Sequence, residues 1–201
     1  SSTTDMDAGT GNPNFGYFGN SSVTVVDRID YSNDTATASA RSPLTSNLSN
    51  KCAFSAREND LTLIGPALVS NAAAIAGSFN PTTFGYFAGG QTHSTVDRID
   101  YSNDTATASV RGPLSSARAG VSATGNSFFG YVGGGASTVD RIDYSSDTAT
   151  AAAKGPLSDA KSYVEATGNA SFGYFGGGVL GPGPDVTTVD RIDYSNDTPT
   201  A

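Results

Sequence analysis

The chain has 201 residues, with 11 basic and 19 acidic side chains, a formal net charge of −8, 24 glycines and no tryptophan. This acidic balance argues against binding nucleic acid or an anionic membrane, since both need clustered Lys and Arg. The single cysteine, Cys52, excludes an intrachain disulfide, and no apolar run is long enough for membrane insertion as a helix. The chain begins at Ser1 without a signal-peptide pattern, so we expect a cleaved precursor or a segment of a longer protein.

Three short motifs follow one another near the start of the chain: TGN at 10–12, FGYFGN at 15–20 and VDRIDYSNDTATAS at 26–39. The aromatic and β-branched residues favour strands, and the Ser-Asn-Asp triplet predicts a turn whose side chains bond their own backbone. The first unit therefore contains four short strand candidates.

Alternation along VDRIDY predicts that Asp27, Ile29 and Tyr31 share one face of a strand that is half-buried at best. Arg28 then lies close to carboxylates of its own or an adjacent strand. Because this arrangement repeats in every unit, we interpret it as structural.

The same motifs return three more times along the chain. The aromatic motif recurs at 84–90, 129–134 and 172–177, and the alternating motif recurs at 96–109, 139–152 and 189–201. The unit is therefore about 45 residues long. We place the units at about 1–44, 65–114, 115–157 and 158–201, with an insertion at 45–64 between the first two.

Four short antiparallel strands in each unit predict an all-β chain, in which each unit is one blade of a β-propeller. The continuous repeat favours a single domain over residues 1–201. Four units leave three arrangements open: a closed four-bladed ring, part of a larger ring, or a ring assembled from several chains.

The order of the motifs resembles the kelch repeat. The glycine pair that closes the second strand is Gly133-Gly134, Ile142 stands at the Tyr position, and Ala149 stands at the Trp position seven residues later. Arg118 and Lys161 match the later Arg. This resemblance implies a kelch-like propeller.

The wording of the repeats, DRIDYSNDTATAS with GPLS and FGYFGGG, resembles repeats in virion structural and tail-fibre-like proteins of marine cyanobacterial phages. The resemblance implies a virion or extracellular location and a role in host-surface recognition and adsorption. It also implies contacts with other virion proteins or copies of itself, and binding of a host-surface polysaccharide or protein. The alternative is a purely structural, self-assembling repeat module without ligand binding.

Loops at one end of the predicted blades vary between units, whereas the TGN and YSNDT turns at the other end are nearly constant. Variable loops on a rigid frame are typical of a binding surface. If the fourth unit packs against the first, the 178–186 loop and the 45–66 insertion become neighbours. We take eight residues of the variable loops as candidate binding residues: Lys51, Arg57, Glu58, Asp60, His93, Leu180, Pro182 and Asp185.

Residues suited to catalysis or metal binding are few. His93 is the only histidine, so a Ser/His/Asp arrangement would have to use it. The D-x-S-x-D pattern that begins at Asp30 has the oxygen spacing of a calcium loop but lacks its glycine and distal glutamate, so we interpret it as a turn. We expect no enzymatic activity, no metal site and no cofactor.

Overall fold

The computed structural model of the protein describes residues 6–20, 23–33, 35–41, 43–55, 84–181 and 183–200. These residues form four antiparallel sheets of four strands, and the strands of each sheet neighbour one another in chain order. We name the sheets blades 1 to 4.

The strands have the following bounds. Blade 1 contains β1 (Met6–Gly11), β2 (Phe15–Asn20), β3 (Val26–Asp30) and β4 (Ser39–Arg41). Blade 2 contains β5 (Cys52–Ser55), β6 (Phe84–Ala88), β7 (Val96–Asp100) and β8 (Ser109–Arg111). Blade 3 contains β9 (Val121–Gly125), β10 (Phe129–Gly134), β11 (Thr138–Asp143) and β12 (Ala152–Pro156), with one 3-10 turn at Tyr144–Ser146. Blade 4 contains β13 (Glu165–Gly168), β14 (Phe172–Gly176), β15 (Val189–Asp193) and β16 (Thr198–Thr200).

The second and third strands pair in the same register in every blade. The tyrosine of the aromatic motif lies opposite the arginine of VDRID, as in Tyr17 with Arg28 and Tyr131 with Arg141. The glycine before each tyrosine lies opposite the isoleucine. One repeated sequence pattern therefore produces one repeated sheet geometry, because a slip by one residue would turn every side chain to the other face.

The predicted insertion at 45–64 is wrong at its centre, because Cys52–Ser55 is the first strand of blade 2 and pairs with β6. Residues 43–45 (PLT) match 113–115 (PLS), so the first strand of each blade follows this motif at a similar distance. The additional length of the second unit therefore falls between β5 and β6. Residues 56–83 lie outside the described residues.

The hydrophobic core lies between the blades. One cluster joins blades 1 and 2 around Tyr17 and Phe87, a second joins blades 2 and 3 around Tyr86 and Val132, and a third joins blades 3 and 4 around Tyr131. The first strands pack side by side in order, β1 with β5, β5 with β9 and β9 with β13. We call the contact between consecutive blades a seam. The predicted fold class is confirmed: the chain is an all-β, four-bladed β-propeller.

One aspartate closes each of these three seams. At the seam of blades 3 and 4, Asp197 accepts hydrogen bonds from the Tyr131 hydroxyl and from Arg141, both at 2.6 Å. Asp104 and Asp147 accept the equivalent bonds at the other two seams. The arginine of each seam also lies over a phenylalanine ring of its own blade, 4.0–4.3 Å from the centroid. The predicted carboxylate neighbour of Arg28 is therefore Asp104 in the next blade.

The VDRID strands are buried more deeply than the sequence predicts. The first aspartate of the motif is 0% exposed at Asp97 and Asp140 and 1% exposed at Asp190. The reason is that each of these aspartates is covered by the link that joins its blade to the preceding one, through Thr45, Ser115 and Ser158. Alternation within one strand cannot predict a cover that comes from a segment outside that strand.

Two of these aspartates form buried ion pairs with the residues matched to the kelch Arg position. Arg118 lies 2.7 Å from Asp140 and Lys161 lies 2.9 Å from Asp190. At the seam of blades 1 and 2, Leu48 takes the equivalent position, and Asp97 accepts hydrogen bonds from the backbone and hydroxyl of Thr45. Burial therefore raises the pKa of Asp97, and the bonds from Thr45 only partly counter this effect.

Candidate functional site

The turns between first and second strands and those between third and fourth strands meet on one surface. The backbone N–H of Tyr144 donates to the carbonyl of Phe128, and that of Tyr194 donates to the carbonyl of Ser171. The Asn126 side chain accepts from two backbone N–H groups in the TGN turn. We call this surface the constant face, since the same bonds recur with Asn12 and Asn169.

The remaining loops meet at the opposite end of the blades. The backbone N–H of Leu114 donates to the carbonyl of Ser94, and that of Leu157 donates to the carbonyl of Ser137. These bonds join each link between blades to a loop between second and third strands. We call this surface the variable face. Blades 1, 3 and 4 follow the predicted division into two faces. Blade 2 does not, because its additional length joins the first strand to the second and is not a link between units as predicted. Ligand binding by the variable face stays a prediction.

The 178–186 loop is the longest of the described loops between second and third strands. Val179 forms bridges with Ser162 and with Asp185, so the loop folds back on the segment that precedes β13. Leu180 is half-buried and Asp185 is exposed. Residues 56–66 of the segment that we predict to neighbour this loop lie outside the described residues, so this proximity stays a prediction.

The other predicted binding residues have different surroundings. His93 is half-buried, and its backbone N–H donates to the carbonyl of Gly90. Four lie outside the described residues: Arg57, Glu58, Asp60 and Pro182.

Lys51 is not an exposed loop residue, contrary to prediction. Its side chain is buried at the seam of blades 1 and 2, where Nζ donates to the carbonyls of Leu48 and Asn20 at 2.6 and 3.0 Å. The adjacent Cys52 is also buried, which raises the pKa of its thiol to about 12. The packing of β5 against its neighbours therefore removes both side chains from the loop surface.

A cavity of about 220 Å³ lies on the axis between the first strands of the four blades. It is lined by Gly9 of β1 and by residues that begin the other first strands, among them Ala53, Ser122 and Glu165. Each first strand starts at the variable face, so the cavity lies towards that end of the axis. The mostly small lining residues leave space, and Ser122 and Glu165 supply polar groups.

The repeated D-x-S-x-D segments form turns closed by hydrogen bonds. The first aspartate accepts from both the backbone and the hydroxyl of the following serine, as in Asp143 with Ser145 at 2.9 and 2.6 Å. The turn interpretation is therefore confirmed. Across the ranges that the structure describes, no group of three or more His, Cys, Asp or Glu side chains is placed to hold a metal ion. Within the same ranges, no helix is long and apolar enough to cross a membrane.

The chain shares its fold with a solved structure titled "Structure of YjhT". The match has a TM-score of 0.70 and 13% sequence identity, and it covers 100% of this chain and 66% of that chain. This chain therefore spans slightly less than two thirds of the length of that structure, and the likeness concerns the propeller fold alone. No protein-family model matches the chain, and neither does any curated protein.

Proposed function

We propose that the chain is a recognition module whose variable face binds a polysaccharide or a protein at a host cell surface, without catalysis. The observation that carries this proposal is the contrast between the two faces. The turns of the constant face repeat the same bonds in blades 1, 3 and 4, whereas the described loops between second and third strands differ in length and sequence.

The position of the axial cavity supports the same proposal. Concave sites with a few polar groups are where proteins bind small molecules, and this cavity is lined by residues at the first strands, three of which start there. The exposed Tyr163, which is 62% accessible, precedes β13 on the variable face. A tyrosine ring in solvent offers a stacking surface to a sugar ring.

The amino-acid sequence of the repeats supports a location on a virus particle. We propose that the chain is a tail-fibre-like or capsid-decorating protein with kelch-like repeats, exposed on a phage virion and in contact with other virion proteins. This part of the proposal rests on the repeated DRIDYSNDTATAS and FGYFGGG segments.

A loop exchange tests the recognition proposal. Residues 178–186 are replaced by the Gly-Ala-Ser of 135–137, which connects the same two strands in blade 3. Binding to intact host cells and to an array of bacterial surface polysaccharides is compared with that of the unchanged chain. We expect binding by the unchanged chain and at least about a tenfold weaker affinity after the exchange, about 1.4 kcal/mol.

The matched control is Phe128→Ala, which removes a side chain that is 51% exposed on the constant face. Its affinity should equal that of the unchanged chain, and both variants should keep the β-sheet circular dichroism spectrum. Unaltered binding by the loop variant, or no binding by the unchanged chain to any of these surfaces, would contradict the proposal.

A structural module that assembles with itself is the second candidate function. The observation that favours it is the exposure of large apolar side chains at the two ends of the row of blades, Tyr31 in blade 1 and Val189 in blade 4.

A further inference from the structure

Three seams follow one pattern of contacts between tyrosines. The tyrosine of the aromatic motif stacks on the tyrosine of the next blade's DYS turn: Tyr17 on Tyr101, Tyr86 on Tyr144 and Tyr131 on Tyr194, with ring centroids 4.7–5.3 Å apart. At two of these seams a threonine of the preceding blade also shares a hydrogen bond with the stacked tyrosine, at 2.8 and 2.9 Å. We call the face of a blade that carries the tyrosine of the aromatic motif its trailing face, and the face that carries the tyrosine of the DYS turn its leading face. A complete seam needs the trailing face of one blade and the leading face of the next.

Blade 4 presents a trailing face without this cover. Val189 is 55% exposed, whereas its counterparts Val26, Val96 and Val139 are 0% exposed. Tyr174 is half-buried and Arg191 is exposed, although the equivalent tyrosines of the other three blades are fully buried. The residues that form a seam in the other blades are therefore accessible to solvent on the trailing face of blade 4.

Blade 1 presents the complementary leading face. Tyr31 is 54% exposed, whereas Tyr101 and Tyr194 at the same position of the repeat are 9% and 7% exposed. The Tyr31 hydroxyl lies over Gly16 of its own blade. Between the described residues Tyr174, Thr167 and Tyr31, neither the ring stacking nor the hydroxyl bond of the other seams is formed.

We propose that these two faces bind each other between copies of this chain, so that the trailing face of blade 4 in one copy forms a seam with the leading face of blade 1 in another. The occupant follows from the contacts that the other three seams share. Tyr174 and Arg191 are the donors that at the other seams bind an aspartate of the next blade's turn. By sequence that aspartate is Asp34 in blade 1, which lies outside the described residues.

At the three seams that the structure describes, the cover is a blade of this repeat with a stacking tyrosine, and a second copy supplies such a blade. The contact joins two different surfaces, so it produces either a closed ring of blades or an open row of chains. This inference does not depend on the recognition proposal, since the seam faces are separate from the variable face.

The test compares two valine substitutions on the intact 201-residue chain. Val189→Arg places a long cation at the proposed seam, and Val110→Arg is the control, since Val110 is 57% exposed on β8, the outer strand of blade 2. Sedimentation velocity and light scattering measure molar mass across a wide concentration range. We expect concentration-dependent assembly of the unchanged chain, at least about a tenfold weaker self-association for Val189→Arg, and no change for Val110→Arg.

A second pair probes the opposite face, so the result does not depend on one variant folding. Tyr31→Ala should weaken assembly, whereas Tyr163→Ala, at a tyrosine that is 62% exposed on the variable face, should not. Circular dichroism confirms that each variant is folded. The inference is overturned if the unchanged chain is a monomer at every concentration, or if Val189→Arg and Tyr31→Ala assemble like their controls. Binding to host cells is a separate measurement, so failure of assembly is distinguishable from failure of recognition.

Discussion

Three tyrosines at the same position of the repeat differ in the partner of the hydroxyl group. Tyr101 and Tyr194 each share a hydrogen bond with a threonine of the preceding blade, Thr10 and Thr124. At the middle seam Phe54 stands in the place of that threonine, and the buried hydroxyl of Tyr144 has no hydrogen-bond partner in the described part of the chain. Burying an unpaired hydroxyl costs free energy, so the Tyr144 hydroxyl stabilises its seam less than the hydroxyls of Tyr101 and Tyr194 stabilise theirs.

This difference predicts opposite effects for one substitution at two places. Tyr194→Phe should lower the free energy of unfolding by about 1 kcal/mol, because it breaks the bond with Thr124. Tyr144→Phe should leave it unchanged or raise it by up to about 1 kcal/mol, because it removes only an unpaired group. Urea denaturation measures both values. An equal loss in the two variants would show that the Tyr144 hydroxyl has a partner.

The second strand of each blade carries a glycine between two aromatic residues, and packing across the seam explains why this position is a glycine. In β14, a Cβ on Gly173 would lie 2.5 Å from Thr124 Cγ2 and 2.6 Å from the hydroxyl of Tyr194. The glycine therefore leaves space for the tyrosine ring that packs across the seam. Gly176 in the same strand has no such neighbour, since the nearest atom is 3.5 Å from its Cβ position.

Two alanine substitutions in β14 test this explanation. Gly173→Ala should destabilise the chain by about 1–3 kcal/mol through overpacking. At a protein concentration low enough to keep the chain monomeric, Gly176→Ala should change the free energy of unfolding by no more than about 0.5 kcal/mol. Thermal and urea unfolding of both variants give the comparison. Equal tolerance at the two positions would mean that the Tyr194 ring does not require the space.

The stability of the whole molecule depends on pH through buried aspartates, some with a lowered pKa and one with a raised pKa. Burial alone would raise the pKa of Asp190, but hydrogen bonds from Lys161 and Ser158 outweigh it and lower this pKa. The pKa of Asp197 is lowered in the same way by Tyr131, Lys154 and Arg141. Asp97 has a raised pKa, because burial is countered there only by Thr45.

These shifts predict acid lability with a defined sign at each position. A lowered pKa contributes stability above about pH 4, and this contribution is lost as pH falls through the folded-state pKa. A raised pKa acts in reverse, so protonation of Asp97 stabilises the folded state as pH falls from 7 towards about 4. The urea midpoint of the unchanged chain should therefore decline in acid, more steeply in Asp97→Asn and less steeply in Asp190→Asn. The same slope in all three proteins would contradict this account.

The sequence by itself determined the four-stranded repeat, the all-β class and the turns shared by blades 1, 3 and 4. Each of these follows from local information: turn residues at fixed positions, alternation along a strand and segments repeated almost letter for letter. The Asx turns of DYSND belong to the same group, since both partners of each bond lie two residues apart.

Only the tertiary structure decided what lies between the blades. The partner of Arg28 is Asp104, 76 positions away in the sequence. Lys51 is buried and not in an exposed loop, because its side chain packs against residues that are distant in the sequence. The first strand of blade 2 was missed because CAFS carries too few residues to be identified without its partner β6. A repeat predicts the shape of one blade, whereas the burial of a side chain depends on the neighbouring blade that covers it. Tyr31 and Val189 lie at the two ends of the row of blades, and they are exposed although their counterparts are buried.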